Sequence, residues 1–353
     1  MTDTVQAGAL VAPAAGQKVT PTGRLLLEHT APREVWLEAR RRGIGSSDLA
    51  KVLNLTGFGT PQKVFYDKRG RLPLDDEEEF SDAAHFGVIF EDPLARDWAR
   101  RNRTVVEPVG IIAHEFEPWQ MCTLDRLCSE CPLDRRQRSL CALEVKTRNA
   151  FVAKLWRQGP PDDVLAQVLW QILVTGLDHI HVVCLIGGQD YRQYTVRRDE
   201  HVKLVAYIRA EASRLWHEHI LTGRVPAITG DEAPDALIDL YDQLHPDRAG
   251  SVVLDRDGDA HDAMCEYVEA VAAEREARAA KKTAKAKLLA ALGGAQQAVF
   301  QDRPFFSIEQ SFRETADLAR LREEFPEAYR TCVADVPHDR IAIPQYVREE
   351  FAA

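Results

Sequence analysis

The chain has 353 residues, 45% hydrophobic and 28% charged, a composition that excludes disorder of the whole chain and suits one large core or two smaller ones. No apolar run approaches the roughly 18 residues of a membrane span, and the N-terminus lacks the basic start and apolar stretch of a signal peptide, so a cytoplasmic protein without membrane association is expected. The formal net charge of −10 excludes a protein that coats nucleic acid non-specifically, but it is compatible with an enzyme that grips DNA around a carboxylate-rich site.

Residues 1–28, rich in Ala, Gly, Thr and Pro without periodicity, predict a flexible tail. From Arg33 to about Thr222 helical and strand patterns alternate. "VWLEARR" and "SDLAKVLNL" read as helices, and "CALEVK", "HIHVVCLIGG" and "RQYTVRRD" as strands, so the class is mixed α/β. Between the first two strands, Val164, Leu165, Val168, Leu169, Ile172 and Leu173 form one apolar helix face, with Asp162 or Asp163 available as N-cap. After residue 225 the composition shifts. A long exposed helix or helical hairpin is expected up to the Gly293-Gly294 stop, then a β-hairpin in "AVFQDRPFFSIEQSF" and a helix in "LARLREEFPEAYRTCV".

The segment "TLDRLCSECPLDRRQRSLCALEVK", Thr123 to Lys146, carries two sets of metal-ligand types. Glu144 and Lys146 are two apart on a strand and share a face. If Asp125 lies on the other arm of a hairpin and opposes Glu144, the two carboxylates become close neighbours, as a hard divalent ion requires of oxygen ligands. Lys146 would stand ready to stabilise charge in a transition state. Solvated charges at a strand end are the competing reading of this triple.

Five segments occur in order: "WLEARRRGIGSSDLAKVL", "FGVIFEDPLAR", "LDRL", "LEVK" and the Leu155–Gly188 stretch containing "DDVLAQVLWQILVTG". Together they resemble the YqaJ-like viral recombinases, relatives of lambda exonuclease among the PD-(D/E)xK nucleases, over roughly Arg33 to Glu200. The resemblance implies a restriction-endonuclease-like α/β core, a central mixed sheet flanked by helices, over 29–224, while the composition of 225–353 predicts a mainly helical extension. It implies Glu91, Asp125, Glu144 and the Val145 carbonyl as ligands of Mg²⁺ or Mn²⁺, Lys146 as the catalytic lysine, and Gln167 as a supporting glutamine. Arg40 and Ser47 match positions that recognise a terminal 5′-phosphate. The implied activity is a phage-type exonuclease on double-stranded DNA ends, 5′ to 3′, with a single-strand annealing partner and a ring-like homo-oligomer. An endonuclease on the same core and a non-catalytic DNA-binding scaffold are the alternatives.

Structural readings compete at several of these positions. Ser46, Ser47 and Asp48 are good N-cap residues, Arg40 to Arg42 can be a solvated helix end, and Gln167 and Gln171, on one helix face, can be buried hydrogen-bonding groups. Trp156 and Trp170 read as core rather than base-stacking surfaces. The family's Pro-Asp-Gly is Leu124-Asp125-Arg126 here.

An odd count of seven cysteines in a reducing compartment suggests free thiols or metal ligands. The hairpin pairing that opposes Asp125 and Glu144 also opposes Cys128 and Cys141, and places them on the other face. Cys131 follows one short turn later, whereas Cys122 lies too far along the strand to join them. Cys128, Cys131 and Cys141 thus offer three ligands of a structural zinc site whose fourth ligand the pattern does not identify. Ordinary thiols or a cross-strand disulfide account for them as well. Arg135, Arg136 and Arg138 between them are candidate phosphate contacts.

Overall fold

The computed structural model describes residues 16–74, 81–133, 139–254, 258–312, 315–334, 341 and 343–345. The chain divides into two compact units, Met1–Arg248 and Ala249–Ala353. In the first, β1 (Gly23–Leu27) is followed by α1 (Arg33–Arg40), a 3₁₀ turn at Ser46–Asp48, α2 (Leu49–Val52), α3 (Pro61–Lys68) and α4 (Asp82–Asn102). Next come β2 (Val106–Glu107), β3 (Ile111–His114), β4 (Met121–Thr123), β5 (Arg126–Cys128) and β6 (Cys141–Arg148). A 3₁₀ segment (Ala150–Trp156), α5 (Asp162–Thr175), β7 (His179–Ile186), β8 (Asp190–Arg197), α6 (Val202–Arg214) and α7 (Pro234–Leu244) complete it.

The main sheet has the order β2-β5-β6-β7-β8 and is mixed, because β6 and β7 run parallel while every other neighbouring pair is antiparallel. A parallel pair needs a crossover, and α5 supplies it. Alternation along β6 and β7 then sorts the core. Ala142, Ile180, Val182 and Cys184 pack in the cluster that contains α5, while Leu143, Val145 and Val183 pack against Ala95, Trp98 and Ala99 of α4. The sheet is therefore covered by one helix on each face, the mixed α/β architecture that the strand and helix patterns predicted.

A second sheet, β1-β3-β4, contacts α5 through β3 and β4. Its presence explains why α5 is buried on more than the predicted apolar face: Trp170, Gln171 and Thr175 are fully buried beside Val168, Leu169 and Ile172. Trp170 donates from Nε1 to the Met121 carbonyl at 2.8 Å, so its indole is core, as is that of Trp156. Neither Asp162 nor Asp163 caps α5; Pro161 takes the N-cap position and both carboxylates sit in the first turn, where they face the positive end of the helix dipole. At the other end Gly176 adopts φ +71°, and a Cβ there would meet the Thr22 hydroxyl at 2.7 Å.

That contact corrects the expected tail. Residues 16–28 are structured: Thr22 donates to the Val174 and Thr175 carbonyls and β1 pairs with β3, Gly23 opposite His114. Residues 1–15 lie outside the described residues. Residues beyond 224 also contribute to the first unit, since Leu237 and Leu240 of α7 are buried and α7 packs on α3. The predicted helix at 47–55 is shorter than its pattern, limited to the 3₁₀ turn and α2. Helix α4, by contrast, runs through Pro93 without breaking. The backbone bond that Pro93 removes would have ended on Ile89, which is 47% exposed and can turn its carbonyl to water.

The second unit contains α8 (Asp259–Leu292), one continuous helix rather than a hairpin, then β9 (Gln297–Phe300) paired with β10 (Arg303–Ser307) as predicted. Where one helix was expected there are two, α9 (Leu318–Glu324) and α10 (Pro326–Cys332), because Pro326 starts a new first turn. Only Val268 and Leu292 of α8 are buried, which fits its Ala-, Glu- and Lys-rich composition. Among the described residues no helix is long and apolar enough to cross a membrane.

Candidate active site

The β5–β6 pairing is Arg126 with Leu143, Leu127 with Ala142 and Cys128 with Cys141. This is the register predicted from opposing Asp125 and Glu144. Asp125 stands one residue before β5, and its Oδ2 accepts the Val145 backbone N–H at 2.6 Å. Glu144 and Lys146 point to the α5 face, where the Lys146 ammonium donates to Glu144 Oε1. Two glutamines one helical turn apart complete the cage around Glu144. Gln167 donates to Oε1 at 2.6 Å and Gln171 to Oε2 at 2.7 Å.

Glu144 is 1% exposed. Burying a carboxylate costs several kcal/mol unless donors replace water, and here one ammonium and two amides do so. Gln171 also donates to the Thr123 carbonyl at 2.9 Å, which fixes its amide between β4 and β6. Gln171 was weighed in the sequence only as a structural group. Its spacing of four from Gln167 on one helix face was the available signal.

Asp125 is held well above the usual carboxylate range, first by burial and then by the charges of Glu144 and Glu91, which outweigh Lys146 and the Val145 N–H. Burial opposes the charge of Lys146, yet the Glu144 and Asp125 carboxylates overcome it and raise the ammonium above its ordinary value. The site thus gathers more negative charge than its lysine offsets.

Glu91, on α4, joins this group through an intermediary. Its Oε1 accepts from Arg126 Nη1 at 2.5 Å, while Arg126 Nη2 reaches Asp92 at 3.1 Å and Nη1 also donates to the Asp125 carbonyl. Arg126 opposes Leu143 and so shares its α4-facing side. Arg126 therefore acts as a bridge between α4 and the Asp125 backbone just ahead of β5.

Arg40 and Ser47 also meet. Arg40 Nη2 donates to Ser47 Oγ at 2.8 Å, and the 3₁₀ turn that carries Ser47 packs against α5 and β4. Neither serine caps a helix; instead the Asp48 carboxylate accepts the Gly45 N–H at 2.8 Å and pairs with Lys68 at 2.8 Å. The Ser47 oxygen is occupied as an acceptor, so its hydrogen is free to turn toward an anion.

On the α4 side, the three cysteines pack together but differ in their other partners. Cys128 turns its thiol to the Thr104 hydroxyl at 3.1 Å and the Glu130 carbonyl at 3.3 Å. Cys131 and Cys141 instead group with His179 and His181, all buried. The expected set of Cys128, Cys131 and Cys141 is corrected accordingly: Cys128 stands beside the group, and two histidines of β7 enter it. Burial, His179 and Arg197 push His181 down to about 4, so its ring is neutral at pH 7. The histidines announce themselves in the sequence as His-x-His in a strand, two groups on one face. Cys122 belongs to β4 and the core around α5, apart from this group. Arg135, Arg136 and Arg138 lie outside the described residues.

Residues 35–178 match the YqaJ-like viral recombinase domain. Over 207 residues, 58% of this chain, the sequence is 28% identical to the uncharacterized protein YqaJ of Bacillus subtilis (strain 168), and the match spans 61% of that protein's length. Among solved structures, an alkaline exonuclease from Laribacter hongkongensis superposes with a TM-score of 0.43 at 18% identity, covering 60% of this chain and 99% of the exonuclease. SSO0001 gives a TM-score of 0.32 at 11% identity, with 55% and 95% covered. Across residues 35–178, then, the chain is similar to the YqaJ-like viral recombinase domain.

Proposed function

We propose that the protein is a metal-dependent deoxyribonuclease, a phage-type recombination exonuclease that hydrolyses phosphodiester bonds from double-stranded DNA ends, 5′ to 3′, in the cytoplasm. The observation that carries this reading is the convergence of Asp125, Glu144, Lys146 and two glutamines within a YqaJ-like domain. The donor set fits a hard divalent cation: a buried group of carboxylates, in which burial and then the Glu144 and Glu91 charges raise Asp125, favours a bound positive charge. Asp125, Glu144, the Val145 carbonyl and Glu91 would hold Mg²⁺ or Mn²⁺, which supplies charge neutralisation at the scissile phosphate and acidifies water.

The side chains divide the remaining work. Gln167 and Gln171 hold the Glu144 carboxylate in one orientation, since each oxygen has its own amide donor. Lys146 places a buried positive charge beside both carboxylates, positioned to stabilise the developing phosphorane charge and to orient the attacking water. Arg40 and the outward hydroxyl of Ser47 form a donor pair for a terminal 5′-phosphate. The polarity, the single-strand annealing partner and the homo-oligomer belong to the proposal through the family resemblance.

The test is digestion of linear and covalently closed duplex DNA with Mg²⁺ and with EDTA. Linear duplex is expected to disappear from its ends while closed circles survive. Cleavage of circles would move the reading to an endonuclease, and inertness toward every DNA substrate would leave a binding scaffold. On linear substrates, Arg40→Ala is expected to reduce the preference for 5′-phosphorylated over 5′-hydroxyl ends by about tenfold, the loss of one charge-assisted contact of roughly 1.5 kcal/mol. An unchanged ratio would remove Arg40 from phosphate recognition and leave it as a helix-end charge.

A further inference from the structure

We infer that Cys131, Cys141, His179 and His181 form a structural zinc site on the face of the sheet opposite the carboxylates. Strand β6 lies parallel to β7 with Ala142 beside Ile180 and Leu143 beside His181. Cys141, one residue earlier, therefore stands next to His179, and the period of two puts Cys141, His179 and His181 on one face. Cys131 is brought over them by the turn after β5, where its N–H donates to the Ser139 carbonyl at 3.0 Å. Trp98 of α4 closes the group, its ring centroid 5.1 Å from that of His181.

The geometry is that of a single small ion. The four ligand atoms all lie within 4.8 Å of one another. Cys131 Sγ is 3.1 Å from His179 Nε2 and 3.8 Å from His181 Nε2. In a tetrahedron with Zn–S of about 2.3 Å and Zn–N of about 2.0 Å, the sulfur–nitrogen edge is about 3.5 Å, between those two values. The second nitrogen of His181, Nδ1, lies 3.1 Å from the Thr195 hydroxyl. With Nδ1 engaged by the hydroxyl, Nε2 is the nitrogen left to face a metal, and a hydrogen-bonded outer nitrogen is usual for a ligating histidine.

Charge and softness select the ion. Two thiolates and two neutral imidazoles around a divalent cation sum to zero charge, which suits a group whose four members are all buried. Sulfur and nitrogen donors favour zinc over the hard ions that suit Asp125 and Glu144. Four protein ligands leave no open position, so the site is structural. It ties the turn that follows β5 to β7 and so anchors the far end of the strand pair whose near end carries Asp125 and Glu144.

Metal analysis of the full-length protein, expressed with zinc in the medium, is expected to give one zinc per chain. Replacement by Co²⁺ should produce the intense visible bands of a tetrahedral ion and a thiolate charge-transfer band, which carboxylate ligands cannot give. Cys131→Ser and His181→Ala should lose the metal and Cys128→Ser should keep it. If the first two variants fail to fold, the zinc count and cobalt spectrum of the wild type still decide. Zinc below about a tenth of an equivalent in wild type, a Cys128–Cys141 disulfide in its peptide map, iron with labile sulfide, or metal lost from Cys128→Ser but retained by Cys131→Ser would each overturn the assignment. None of these readouts depends on nuclease activity.

Discussion

Lys146→Ala is expected to lower the single-turnover rate of DNA hydrolysis by about 10²- to 10⁴-fold while the protein still binds DNA. The lysine side chain is 17% exposed and its ammonium bonds to Glu144 Oε1, so its charge acts in a setting where water screens little. Removing it leaves Glu144 with both glutamine amides, so the carboxylate keeps donors and the fold should persist with a modest loss of stability. The informative comparison is rate against affinity: the rate should collapse while the dissociation constant for a linear duplex moves by less than about threefold, as for an interaction made mainly in the transition state. Full activity in Lys146→Ala would remove the lysine from the chemistry even if the protein proves to be a nuclease.

The elements around this site were legible because each rests on a strong local rule. Strand β6, helix α5 and strand β7 follow from periods of two and of 3.6, and one assumed pair, Asp125 with Glu144, set the register of the hairpin and predicted that Cys128 would face Cys141. What stayed hidden depended on partners far away in sequence. β1 has a composition that reads as a tail and becomes a strand because β3 supplies its hydrogen bonds. Helix α4 buries only Ala95, Trp98 and Ala99 and leaves Phe86, Val88, Ile89 and Phe90 exposed, so its apolar residues do not trace the face it packs. His179 and His181 alternate within an otherwise apolar strand, and only the parallel register of β6 and β7 reveals that they meet Cys141. The bridging role of Arg126 required knowing that Glu91 and Asp92 of α4 lie over β5.

Lys68→Met is expected to destabilise the protein by about 3–5 kcal/mol at neutral pH, the cost of breaking a buried ion pair and stranding one charge. The pair supports the candidate phosphate site. Lys68 Nζ lies 2.8 Å from Asp48 Oδ2 and donates to the Arg40 carbonyl at 3.0 Å, and the two side chains are 1% and 6% exposed. Burial alone would raise Asp48, but Lys68, Arg40 and Lys51 outweigh it and lower its pKa to about 2. A depressed carboxylate pKa contributes stability that is complete above its usual value near 3.8 and is lost as pH falls toward 2. The wild-type advantage over Lys68→Met should therefore be full at neutral pH and shrink through that acid window. Asp48→Asn should cost less, because Lys68 retains the Arg40 carbonyl and Asp67 at 3.5 Å. Urea unfolding of both variants and the double substitution measures the coupling directly. Equal stability of Lys68→Met and wild type at pH 7 would show that the pair does not brace the turn that brings Ser47 to Arg40.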